Sequence, residues 1–233
     1  MIFDSIIDLI KRTPFILLYG CVLILAITRY RKYYDTPLKY FPIFILYTFI
    51  NETLGGIIRL NQNFSLHISD FYLDNNWMIY NIYDIVVHLY LFYAFWSFIN
   101  NKKYKKFILY GSVLYILVSI INLFFQNFML QPQTYAYTTA GLVLICVILF
   151  YYLNQKSDSR PFFGNRDLLS WIGAGLLIFY SGYLPIIFIR FYNTLLHVDE
   201  SIYLRKIHLS LIIIMYICFI IGFIKMKRIK TPS

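Results

Sequence analysis

Mainly apolar runs long enough to cross a bilayer recur seven times in this chain, at about 14–30, 39–59, 77–99, 106–126, 134–153, 168–190 and 203–224. A spanning helix needs roughly 20 such residues, with about 17–25 the usual range. Backbone polar groups in lipid have to bond within the chain, which leaves helices or closed barrels. Runs of this length select helices. The sequence therefore predicts an all-α, polytopic integral membrane protein: one seven-helix transmembrane domain over 1–233.

Composition agrees. Sixty per cent of the 233 residues are hydrophobic and 14% charged, against about 45–50% apolar and about 25% charged in a soluble domain. That balance excludes an ordinary soluble enzyme and a disordered chain. The net charge of +10 does not indicate a nucleic-acid partner, because a chain this apolar keeps no soluble basic face free. The charge is instead distributed by side. The connections at 29–39, 100–106 and 154–167 and the tail from Lys225 hold fifteen bases and three acids. The N-terminal segment and the connections near 59–76, 127–133 and 190–206 hold six of each. Lys and Arg are retained on the cytoplasmic side, so the N-terminus is expected outside and the C-terminus inside.

End signals support the spans. Thr13-Pro14 reads as an N-cap with proline at the first helical position, and Asp167 as a cap for helix six. Trp77, Trp96, Trp171 and Tyr151-Tyr152 lie near helix ends, where interfacial aromatics gather. In residues 1–12, Ile2, Phe3, Ile6, Ile7 and Ile10 share a face opposite Asp4, Ser5, Asp8 and Lys11, which predicts a short interfacial anchor helix. The Lys102-Lys103-Tyr104-Lys105-Lys106 run reads as a cytoplasmic connection in contact with anionic membrane lipids. Cys21, Cys146 and Cys218 stand singly in apolar runs, as small hydrophobes.

Several chemistries find no support. No connection exceeds about 17 residues, and neither GxxxxGK(S/T) nor GxGxxG occurs, which leaves no nucleotide-binding domain. Helix seven has lysines only near its ends, Lys206 and Lys225, so no retinal Schiff base is expected. Asn63-Phe64-Ser65 matches a glycosylation acceptor. Glu52, Asp84, His88 and His208 are acceptable zinc ligands, but no HExxH supports a site. No metal and no cofactor are expected.

The informative residues are the ionisable ones at bilayer depth, which cost roughly 2.5–3.5 kcal/mol each on insertion scales and are functional candidates by default. Two acids remain after the connections are counted, Glu52 in helix two and Asp84 in helix three. At 1.5 Å rise per residue both lie roughly 10 Å below the outer ends of their helices. Thr48, Glu52, Gly55, Gly56 and Arg59 share one face of helix two by i, i+3, i+4, i+7 spacing. Trp77, Asn81, Asp84 and His88 form a stripe on helix three, with Tyr80 at its edge. Helix six offers Tyr180, Tyr183 and Arg190, and helix seven Arg205, His208 and Tyr216.

These groups predict an outward-facing polar pocket among helices two, three, six and seven. The ligand-binding residues would be Glu52, Arg59, Tyr80, Asn81, Asp84, His88, Arg190 and His208. Glu52 and Asp84 would take cationic or hydroxyl groups, Arg59 and Arg190 anionic ones, and His88 would sense protons. The bland reading is a polar network that only satisfies buried charge, with Asp84 and His88 as a local i, i+4 pair. The favoured function is non-enzymatic: binding of a small molecule or ion, coupled to transport or to a signalling partner protein. The alternatives are an intramembrane hydrolase or lipid-modifying enzyme using Asp84, His88 and His208, and a pore-forming oligomer with a ring of Glu52.

The stretch from Glu52 through Asn75-Asn76-Trp77-Met78-Ile79-Tyr80-Asn81-Ile82-Tyr83-Asp84 resembles a small, uncharacterised family of bacterial seven-helix membrane proteins. Those have an acid in helix two, Asn-Asn before helix three, then spaced tyrosines and a further acid. Here that acid stands at Asp84, and Val87 occupies the more usual place. The resemblance implies seven helices and no assigned activity, and the expected location is a bacterial inner membrane.

Overall fold

The computed structural model describes residues 15–60, 77–157, 163, 167–196, 198 and 201–227, with the side chains of 54–60 and 195 excepted. The expected interfacial helix of 1–12, the Thr13-Pro14 cap and the Asn63 motif lie outside these residues. Among the described residues there are seven α-helices and no strand. They are α1 (Phe15–Thr28), α2 (Phe41–Leu60), α3 (Trp77–Phe98), α4 (Lys102–Asn122), α5 (Thr134–Ser157), α6 (Leu168–Leu195) and α7 (Ile202–Lys225). Each coincides with one of the seven apolar runs. Five of them, α3 to α7, are long and apolar enough to cross a membrane, and α1 is a shorter apolar helix. These helices mark the chain as an integral membrane protein.

Local chemistry sets the helix ends. The Asp167 side chain accepts from Ser170 N, 2.9 Å away, and caps α6 as expected. Ser201 caps α7 in the same way, through Tyr203 N. The start of α4 differs from expectation. The Lys102–Lys106 run is its first turn rather than a connection, because the Asn101 carbonyl side chain accepts from Lys103 N at 2.9 Å and starts the helix four residues early. Asparagine is among the strongest N-caps, while lysine charge disfavours the positive end of a helix by only about 0.3–1 kcal/mol. Lys105 Nζ also lies 4.5 Å from the centre of the Trp96 ring, so the run is partly neutralised by an aromatic face.

α6 and α7 pack most closely, α1 lies against α2 and α7, α5 against α4 and α6, and α3 against α5 and, less, α4. Small residues permit the α6–α7 approach, as is usual in membrane helix pairs. A Cβ at Gly175 would sit 2.8 Å from the Met215 backbone oxygen, and one at Gly222 2.7 Å from Trp171 Cβ. The core contains Phe92, Phe95, Leu144, Ile148 and Ile172. Outward faces are apolar too: Ile24, Leu109, Leu117 and Phe124 are exposed, as lipid-facing residues are.

Two basic connections are tied to the ends of other helices. Lys32 Nζ donates to Met226 O at 3.0 Å, joining the α1–α2 connection to the end of α7. Asn154 Oδ1 accepts from Asn100 N and Asn101 N, both at 3.1 Å, joining the end of α5 to the α3–α4 connection. Between α1 and α2 the Tyr33 ring is fully buried and its hydroxyl donates to Ala26 O at 2.6 Å. That burial, and then the neighbouring Tyr30, push the Tyr33 phenol well above its ordinary value.

Candidate functional site

The 4-3-4 spacing of Trp77, Asn81, Asp84 and His88 puts them on one side of α3, and the fold turns that side toward α4 and α5. Asn81 and His88 are buried and Asp84 half-buried. Asn81 uses its whole amide. Nδ2 donates to Phe128 O (2.8 Å) and Gln131 O (2.9 Å), and Oδ1 accepts from Gln133 N (3.2 Å). It therefore fixes the α4–α5 connection across the end of the stripe.

Under that connection is a cavity of ≈ 20 Å³, enough for one water molecule. Its polar lining comes from Asn81 and Asp84 on α3, Tyr115 and Ser119 on α4, Gln133 and Tyr137. No side chain of a described residue donates to the Asp84 carboxylate, and no described base lies beside it. Among the described residues this carboxylate has no side-chain donor, and it borders a water-sized space.

His88 is bonded on both sides. Its Nδ1 lies 2.7 Å from the Asp84 backbone oxygen, and a carbonyl only accepts, so Nδ1 carries a hydrogen. Its Nε2 meets the Tyr180 hydroxyl, 2.9 Å away. The expected Asp84–His88 pair thus forms through the backbone, not the carboxylate. The imidazole packs against Tyr115, Tyr137 and Tyr180, with ring centres 5.4–5.7 Å away.

Arg190 and His208 form a second cluster, between α6 and α7. Arg190 Nη1 donates to the Tyr183 hydroxyl at 3.2 Å, and Nη2 lies 3.3 Å from His208 Nδ1, which has to accept. His208 stacks on Tyr183 with ring centres 4.2 Å apart. Tyr137 joins the clusters, 5.9 Å from Tyr180 and 5.8 Å from Tyr183 between ring centres. His88 and His208 face different partners, and among the described residues no three His, Cys, Asp or Glu side chains gather for a metal.

The remaining candidates lie apart from the cavity. Half-buried Glu52 on α2 acts electrostatically on Tyr19, Tyr83 and Tyr216. Beside it the Thr48 and Tyr83 hydroxyls hydrogen-bond, and Tyr47 stacks on Tyr83 at 5.0 Å. Tyr80 is half-buried, with its ring 6.4 Å from that of Trp77. The Arg59 side chain lies outside the described residues. The cavity is bounded by α3, α4 and α5, and of the eight candidates Asn81 and Asp84 line it.

Two polar groupings are new relative to the sequence reading. At the cavity end, Asn122 Nδ2 donates to Gln133 Oε1 (2.7 Å), Gln133 Nε2 to Gln126 O (3.2 Å), and Thr134 N to Gln126 Oε1 (2.8 Å). At the other end, the Asp167 carboxylate accepts from the Tyr151 hydroxyl (2.6 Å), Gln155 Nε2 and the Ser170 hydroxyl. That second carboxylate is fully employed in joining α5 to α6. The signal for both was amides, Asn122, Gln155 and Gln133, placed inside or at the ends of apolar runs. Comparison with protein-family profiles, curated proteins and solved structures gives no match, and the chemistry of Asp84 and its cavity alone carries the functional reading.

Proposed function

We propose that the chain is a non-enzymatic, seven-span protein of a bacterial inner membrane that binds a small cation at Asp84 and serves as a sensor or transporter. The N-terminus and the α4–α5 connection would face outward, and the C-terminus the cytoplasm. The observation that carries the reading is the Asp84 carboxylate, which borders a cavity of ≈ 20 Å³ and meets no described donor or base. Of the small molecule or ion expected from the sequence, a space of ≈ 20 Å³ favours an ion. The orientation rests on the excess of Lys and Arg in the connections at 29–39, 100–106 and 154–167 and in the tail, since these residues are retained on the cytoplasmic side.

The thermal midpoint of purified protein in lipid nanodiscs, followed in NaCl, KCl or choline chloride and across pH, tests the site. Wild type should respond to one cation, protons included, and Asp84→Asn should not. An Asp84→Asn protein with the wild-type response overturns the reading. Reporters fused at Lys103 and Leu130 should fall on opposite sides of the membrane.

A further inference from the structure

We infer that the cation taken up at Asp84 is a proton, held as a neutral carboxyl group against a single water molecule. The inference rests on the reading of Asp84 as a cation site and narrows it by counting ligands. A metal cation entering a protein exchanges its hydration shell for many oxygens, about six to eight for calcium and stacked rings of carbonyls for potassium. The Asp84 cavity cannot supply such a cage. Asn81 Oδ1 holds the Gln133 N–H, Gln133 Oε1 holds Asn122 Nδ2, and the Ser119 hydroxyl donates to Tyr115 O. The phenols of Tyr115 and Tyr137 already bond to the Ser119 and Tyr180 side chains, and the Asp84 carboxylate is left with no described donor.

A proton needs only one oxygen. Binding it removes the buried charge and turns the carboxylate from an acceptor into a donor, to which a water in ≈ 20 Å³ can serve as acceptor. The titratable groups around Asp84 are compatible with that exchange. They are Tyr83 and His88 on α3 itself, Tyr115 on α4, Tyr137 on α5 and Tyr180 on α6. No lysine or arginine is among these described groups, and none acts on the carboxylate. His88 adds no donor to the carboxylate, since its Nδ1 hydrogen is committed to the Asp84 backbone oxygen at 2.7 Å.

Infrared spectroscopy of protein labelled with 13C at the aspartate side-chain carboxyl, in phosphatidylcholine–phosphatidylglycerol nanodiscs, tests this. Wild type at neutral pH should show a protonated-carboxyl carbonyl band that carries the label shift and disappears on alkalinisation. The band should be lost in Asp84→Asn and indifferent to replacement of choline chloride by NaCl or KCl. In Asp84→Glu, which keeps the carboxyl if Asn fails to fold, the band should persist without the label shift. A wild type with no such band overturns the inference, and so does a band that survives Asp84→Asn. A band that ionises on addition of NaCl or KCl also overturns the proton assignment while leaving the cation site standing. The cation site itself falls only if the nanodisc midpoint of Asp84→Asn still follows the cations as wild type does.

Discussion

Replacement of Asn81 by alanine removes three hydrogen bonds at once and should loosen the α4–α5 connection over the cavity. The two carbonyls and one N–H that Asn81 serves do not weigh equally. Gln131 is exposed, so water can serve its carbonyl, and the loss there is about 0.5 kcal/mol, the low end for a net hydrogen bond. Phe128 is half-buried and Gln133 buried, and each group left unpaired there costs about 1–3 kcal/mol. Water entering from the adjacent cavity lowers these terms, and the expected loss is about 2–4 kcal/mol in all. Reversible denaturation in mixed micelles, followed by circular dichroism, measures it. Amide hydrogen exchange should accelerate at 127–133 well before the helices exchange. Asn81→Asp keeps the acceptor for Gln133 N but turns a charged oxygen on two carbonyls, so it should be at least as unstable as the alanine variant despite matching asparagine in shape. Stability within about 0.5 kcal/mol of wild type, the range of an ordinary surface change, together with unaltered exchange at 127–133, would refute the assignment of Asn81 as the latch.

Three further outcomes are expected. Gly175→Ala should destabilise by about 1–3 kcal/mol through overpacking, because its Cβ would meet the Met215 backbone oxygen at 2.8 Å; Gly20→Ala, with its nearest contact at 3.6 Å, should be neutral or slightly stabilising, and equal midpoints for the pair would contradict the close α6–α7 approach. Asp167→Ala should cost about 2–4 kcal/mol, from a lost helix cap and unpaired Tyr151, Gln155 and Ser170 groups, and a thermal scan showing no change would remove Asp167 from that role. Tyr33→Phe should cost about 1 kcal/mol at neutral pH through the lost bond to Ala26 O. Because folding raises the phenol above its ordinary value of about 10, the unfolded chain releases that proton first, so wild type loses stability as pH rises beyond about 10 and the gap to Tyr33→Phe should narrow; a gap that is constant with pH would contradict a buried Tyr33 hydroxyl.

Helix positions were legible wherever hydrophobic run and cap agreed. Asp167 before Leu168 marks the start of α6 because the cap and the apolar pattern change at the same place. At α4 they separate: four lysines look like a connection, yet Asn101 starts the helix ahead of them and their long stems reach outward. On α3, the stripe of Asn81, Asp84 and His88 was visible in the spacing alone, since one helix repeat fixes which residues share a side. Spacing carries no information about which helix lies opposite. Only the packing reveals that this stripe faces α4 and α5, that Glu52 stands elsewhere, and that Gln126 and Gln133 fold an apparently plain connection into the site. The Tyr180 hydroxyl reaches His88 across 92 residues of sequence, a contact no local pattern encodes.

The meeting of α1 with α7 also imposes an order on biogenesis. Tyr19 packs on Tyr216 with ring centres 4.5 Å apart, and Lys32 bonds to a carbonyl 194 residues later. At roughly 5–20 residues per second of synthesis, α1 waits on the order of 10–40 s for α7. During that interval α2 is the only one of its two closest helical neighbours already made, and its other flank stays open to lipid and to quality-control proteases. The α1 flank is covered only once α7 leaves the ribosome, so chains stalled before α7 should be recognised and cleared through α1.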